Sequence, residues 1–148
     1  MLLAACTAGV PTDPQRGASA GSDALAQVGR WKLQGAEDGQ GMPVSALLPD
    51  GSAVHALVFA NGRVTVEGGC NHMGGRYRMD RSGRLVVSEI QSTLMACSDQ
   101  DLMTADSAVS ALLEGRSDPS IAESYPEQLF LLHEDGARSY WVAVRPAP

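Results

Sequence analysis

The sequence is short of several things, and each shortage excludes a class of function. No apolar run approaches the roughly 18 residues that a membrane-spanning helix needs. Basic residues are outnumbered, with 11 Lys and Arg against 17 Asp and Glu, for a net charge of −6. A general nucleic-acid binder needs a basic face to neutralise phosphates, so nucleic acid is not an expected partner. Lysine occurs once, as Lys32, and the other ten basic residues are arginine, which reads as compositional bias. The glycine-rich stretch 67–75 is not followed by Gly-Lys-Ser/Thr or by the start of a helix, so it is not a phosphate loop. Histidines are few and scattered (His55, His72, His133). Cys70-x-His72 with Cys97 lacks the spacing and the fourth ligand of a zinc site. No cofactor or metal is expected, and no catalytic residues are assigned.

What is present suits one domain. The chain has 148 residues, 44% of them hydrophobic, with 16 glycines and 8 prolines. That composition supports a single core built from short strands and many turns. Residues 1–26 read as the remnant of a lipoprotein signal followed by a flexible tether, and residues 27–146 as the folded domain. Leu3-Ala4-Ala5-Cys6 resembles a bacterial lipobox, in which the cysteine receives diacylglycerol and becomes the mature N-terminus. The stretch that follows, rich in Thr, Pro, Ala, Gly and Ser, suits a tether. Only five residues precede Cys6, fewer than a full signal peptide needs. A chance Ala-Ala-Cys is the alternative. With Cys6 lipidated, Cys70 and Cys97 remain as an even pair. In an oxidising compartment they imply a disulfide; otherwise they are small buried hydrophobes.

Within the domain, Trp31 and Leu33 alternate with polar neighbours as in a half-buried strand. Residues 37–41 and 42–51 are irregular, ending on Pro49-Asp50-Gly51. Val54 to Phe59 is strand-like, and Asn61-Gly62 is a strong hairpin signal. Arg63 to Glu67 follows with period two, Val64 and Val66 facing the core. Arg76 to Met79 alternates again with Tyr77 inward, Asp80 to Gly83 is a turn, and Arg84 to Val87 a strand. Ile90 to Ala96 is read as one more strand. Ser98 is read as the cap of an amphipathic helix whose Leu102, Ala105, Val109 and Leu112 or Leu113 recur at helical spacing, ended by Gly115. Asp99, Asp101, Asp106 and Glu114 are assigned to its solvated face. Gln128 to His133 and Arg138 to Val144 form a closing hairpin. His55 and His133 are expected at the surface or partly buried. The fold class is α+β: mostly antiparallel β, a compact barrel-like sheet with one amphipathic helix.

The most specific stretch is Gly68-Gly69-Cys70-Asn71-His72-Met73-Gly74-Gly75-Arg76-Tyr77, answered by Thr93-Leu94-Met95-Ala96-Cys97. These residues resemble the META domain, also called HslJ-like, of bacterial envelope and heat-shock-associated proteins. The resemblance spans about residues 28–145. It implies a disulfide from Cys70 to Cys97 that clips the Asn71 turn to the helix start, and a motif loop of Gly69, Asn71, Gly74, Tyr77 and Thr93. One departure concerns the helix, where family members usually carry Glu and an aromatic at the positions of Asp106 and Val109. Gly68 and Gly69 allow positive φ and close approach. Asn71 suits an Asx-type bond within its own loop. Two readings of the motif follow: a stapled structural corner, or a loop that presents a binding surface. The implied function is a non-catalytic envelope module tied to envelope integrity or stress. It would be held by lipid on Cys6 at the periplasmic face of the outer membrane, with an envelope protein or small ligand as partner. The alternative is an enzyme or inhibitor-like domain acting on an envelope substrate.

Overall fold

The computed structural model describes residues 21–145; Cys6 and the lipobox reading lie outside them. Eight strands form a closed antiparallel barrel in sequence order: β1 Arg30–Glu37, β2 Ala56–Ala60, β3 Arg63–Glu67, β4 Met73–Met79, β5 Leu85–Ser92, β6 Gly115–Ala122, β7 Gln128–His133 and β8 Arg138–Ala143. Closure comes from β1 pairing with β8, with Trp31 opposite Ala143. Helix α1, Ser22–Val28, precedes the barrel, and α2, Gln100–Leu113, lies between β5 and β6.

Alternation along each strand fills the interior. The β3 residues Val64 and Val66 point in while Arg63, Thr65 and Glu67 point out. Trp31, Leu33, Leu57, Phe59, Tyr77, Leu129, Leu131 and Trp141 pack the centre, so the barrel is a core and not a channel. Asn61 and Gly62 both take positive φ (51° and 74°), the geometry that lets a two-residue turn match the strand twist.

Antiparallel order sorts the connections between the two ends. The 38–55 excursion, the 68–72 turn, the 93–99 segment with α2, and the 134–137 turn share one end. Helix α1, the Asn61-Gly62 turn and the 80–84 turn share the other. Helix α2 packs against the Ser45–Leu47 turn and buries Ala105, Val109 and Leu113. At the opposite end α1 contacts β2, and its Leu25 is fully buried. The Trp31 indole N–H donates to the Leu25 carbonyl at 3.1 Å, which fixes α1 to the barrel.

Several elements differ from the sequence expectations. The stretch assigned to the tether contributes Leu25 to the core. Ile90 to Ala96 is not a separate strand: β5 runs unbroken to Ser92, bent at Glu89 (φ 55°), and residues 93–97 form an irregular strap. The helix cap is Asp99, not Ser98; its carboxylate accepts from the N–H groups of Asp101 and Leu102 at 3.0 and 3.1 Å. Strand β6 has no counterpart in the sequence reading. Its Pro119 stands beyond the last residue paired with β5, in a half-strand with a ladder on one side only, where proline is tolerated.

Candidate functional site

The motif residues gather at the α2 end of the barrel. At Gly68, φ is +100° and an added Cβ would fall 1.9 Å from the Val54 carbonyl oxygen. At Gly69 an added Cβ would fall 1.7 Å from Asp106 Oδ1 and 2.8 Å from His55 Nε2. Two successive glycines therefore let the turn after β3 lie directly on a buried pair of side chains.

That pair is His55 and Asp106, 0% and 4% exposed. His55 Nε2 and Asp106 Oδ1 are 2.8 Å apart. Asp106 Oδ2 accepts the Asn71 backbone N–H at 2.9 Å and the Asn71 side-chain amide at 3.4 Å. On its other side, Asn71 Oδ1 accepts the Met95 N–H at 2.7 Å and the Thr93 hydroxyl at 3.3 Å. Thr93 Oγ1 in turn accepts the His72 N–H at 3.0 Å, and the Thr93 N–H donates to the His72 carbonyl at 3.0 Å. A chain of polar contacts thus runs from the core at His55 outward to the strap. The Cys70–Cys97 disulfide, with Cα atoms 6.1 Å apart, closes the same corner covalently.

Asn71 makes its bonds to the strap and to α2, not within its own loop as an Asx turn would. Asp106 is buried and bonded, not on the solvated helix face. His55 is sealed in the core, and His133 is buried with its Nε2 2.9 Å from Ser139 Oγ. The Trp141 indole N–H donates to the same hydroxyl at 2.9 Å. Burial pushes the His133 pKa below its ordinary value, against an opposing pull from Asp135. Asp80, at the other end, is held low by the Ser82 hydroxyl and the Arg84 N–H, which bond its carboxylate. Gly74 lies in β4 opposite Thr65 and Gln91, with space for a Cβ limited by the Val64 carbonyl at 3.3 Å. Tyr77 stands apart from the corner, edge-on to Phe59 at 4.9 Å between ring centres.

The arrangement can hold a surface segment still, and it is poorly suited to proton transfer. A His–Asp dyad needs a nucleophile or substrate at the second ring nitrogen. Here Nε2 faces the carboxylate and is the natural donor, which leaves Nδ1 as an acceptor in the neutral ring. His55 Nδ1 is buried with no hydrogen-bond partner among the described residues. Cys70 and Cys97 are bonded to each other, so neither is available as a thiolate ligand.

What the corner holds still is the strap. Leu94 is 100% exposed and Met95 52%, though the backbone on both sides is tied down. In the sequence Leu94 stands only as a spacer of the Thr93-to-Cys97 motif, with nothing local to mark its exposure. Asp106 does carry a signal: with Leu102, Ala105, Val109 and Leu113 it completes one helical arc, so its carboxylate stands within the apolar stripe and not on the solvated face to which its charge assigns it.

A family description, the META domain, matches residues 23–144. No curated protein matches the chain in sequence. Two solved structures share its fold. One, an NMR structure of a protein from Burkholderia xenovorans, is 18% identical, with 97% of this chain and 100% of that one covered and a TM-score of 0.74. The other, also solved by NMR, is 21% identical over 84% of this chain and 96% of its own, with a TM-score of 0.52.

Proposed function

The chain belongs to the META-domain family, and on that premise we propose that it is a non-catalytic binding module of the bacterial cell envelope, tethered through lipid on Cys6 at the periplasmic face of the outer membrane. One observation carries the binding role. The polar motif residues and both cysteines of the corner serve to fix a strap whose own apolar side chains, Leu94 and Met95, point to solvent. A scattered exposed leucine is ordinary. A leucine on backbone clamped at Thr93, Met95 and Cys97 has little entropy left to lose on docking, which is what a preorganised contact requires. The partner is an envelope protein with an apolar pocket for a leucine and a methionine, whose thioether adapts to irregular surfaces. The strap lies at the end of the barrel away from α1, so it faces outward from the tethered end. The link to envelope integrity or stress comes from the family association.

The test is a photo-crosslinking residue at position 96, exposed on the same strap, of the full chain in living cells. One recurrent envelope protein should be captured, and Leu94→Ser should lose it without a change in melting temperature. Capture of the same proteins by the Leu94→Ser, Met95→Ser double variant would sink the docking role.

The rival reading, an enzyme or inhibitor-like domain acting on an envelope substrate, draws on the His55–Asp106 pair. It requires His55 Nδ1 to reach a substrate, hence an opening of the α2 end. A His55→Gln variant that keeps its melting temperature and loses an envelope phenotype would favour this rival.

A further inference from the structure

On the outer faces of β3 and β4, at the barrel's other end, lies a groove of about 620 Å³. Arg63 and Arg76 stand directly opposite each other in the β3–β4 register, and Arg78 follows two residues along the same outward face. Like charges placed opposite one another across a sheet are unfavourable by themselves. One carboxylate shares the groove: Glu89, whose Oε2 is 3.0 Å from the Arg76 Nε. Glu89 sits at φ 55°, next to the register irregularity of β4 and β5. Arg63 and Arg78 have no ion-pair partner among the described residues. Ser88 and Asn61 add neutral polar groups to the walls.

The contrast with the neighbouring face is informative. There Arg84 pairs with Asp118 at 3.4 Å, and Arg116 with Asp80 and Glu134 at 3.9 and 3.8 Å. Arg30 pairs with Glu67 at 3.1 Å, and Arg145 with Glu127. Two further arginines without an ion pair among the described residues, Arg81 and Arg138, lie outside the groove; the groove itself brings three guanidinium groups together against one carboxylate in a chain of net charge −6.

We propose that this groove is a phosphate-binding site, with Arg63 and Arg78 as the principal ligands and Arg76 shared between the phosphate and Glu89. Guanidinium forks match the oxygens of a phosphate in pairs, and two forks from adjacent strands can address one group from both sides. The bound anion also removes the repulsion between Arg63 and Arg76. The phosphate can come from a soluble phosphate ester or from a phospholipid headgroup. The second source is supported by position: the Asn61-Gly62 turn at the groove lies at the end of the barrel where α1 leads the chain into β1. Only that lipid source rests on the tether reading.

The experiment uses the full chain with Cys6→Ser, so that no attached lipid contributes. In one arm, isotope-labelled protein is titrated with inorganic phosphate at constant ionic strength, with chloride as control. The resonance shifts should centre on Arg63, Arg76 and Arg78. Arg63→Gln and Arg78→Gln should each weaken binding by about tenfold, the value of one charge-assisted contact. In the second arm, the protein is sedimented with phosphatidylcholine vesicles and with vesicles that also carry phosphatidic acid. Phosphate shifts with retention by the acidic vesicles alone assign the headgroup; phosphate shifts without retention assign a soluble ester. No shift with phosphate, or the same affinity in the Arg63→Gln, Arg78→Gln double variant, overturns the site. Neither arm reads Cys6 lipidation or strap docking, so failure here leaves those readings standing.

Discussion

Removing the Asp106 carboxylate should unfasten the strap from within. In Asp106→Ala the His55 Nε2 loses its partner while the ring stays 0% exposed, and Nδ1 has none to begin with. A buried donor left unsatisfied costs about 1–3 kcal/mol. The Asn71 backbone N–H loses its acceptor as well and, being half-buried, adds about 1 kcal/mol. With the packing of the missing atoms the total comes to about 3–5 kcal/mol. For a domain of this size that is a fall in melting temperature of about 10–20 °C. Asp106→Asn should lose less, about 2–3 kcal/mol, because its amide keeps one acceptor but turns a donor toward groups that themselves donate. Calorimetry reads the stability, and hydrogen exchange at the Met95 amide reads the coupling. That amide is bonded to Asn71 Oδ1, so its protection should fall in both variants, beyond what global unfolding explains. An Asp106→Ala protein melting within about 2 °C of the parent, with Met95 still protected, would refute the account of the corner.

Gly69→Ala should be as disruptive as Asp106→Ala, because its Cβ would overlap Asp106 Oδ1; its melting temperature should fall by a similar amount, and a wild-type value would mean that the turn can move off the pair. Replacing Cys70 and Cys97 together by Ala should cost about 3–4 kcal/mol by the chain-entropy account of a loop with sequence separation 27, measured by denaturant titration. His133 sets a pH window. Burial holds its folded pKa below the ordinary 6.5, so the unfolded chain takes the proton first. Its contribution is complete above about pH 6.5 and is lost as pH falls through the folded value. Denaturation midpoints from pH 7.5 downward should therefore decline less steeply in His133→Gln than in the parent.

Where a signal was local, the sequence showed the fold. Asn61-Gly62 with the alternation of Arg63 to Glu67 gave the β2–β3 hairpin, and the spacing of Ala105, Val109 and Leu113 gave α2. The β7–β8 hairpin likewise stands where its two apolar runs placed it. What escaped depends on distant partners. Helix α1 puts Leu25 into the core with Val28 packed beside it, too few apolar positions to mark a helical period, and its anchor is an indole six residues on. Gly115 to Ala122 is too polar to read as a strand until β5 and β7 lie beside it. Residues 93–97 have strand-like composition, but Asn71 takes the Met95 N–H that a ladder would use. The motif marked the corner. The directions of Asn71's bonds, to partners 24 and 35 residues away, could not be read from its own turn.

Closure between β1 and β8 has a consequence for the order of folding. Trp31 finds Ala143 across nearly the whole length of the domain, so the seam cannot form until the last strand has been synthesised. Long-range pairing of this kind slows folding and leaves strand edges uncovered while the chain waits. The β2–β5 meander needs no such delay, since each of its hairpins is local. Cys70 and Cys97 both lie between β3 and α2, within reach of each other once β4 and β5 have paired. The covalent staple can therefore be set on a half-built sheet, well before the two ends of the chain meet, and a chain truncated before β8 would carry a correct disulfide and an open barrel.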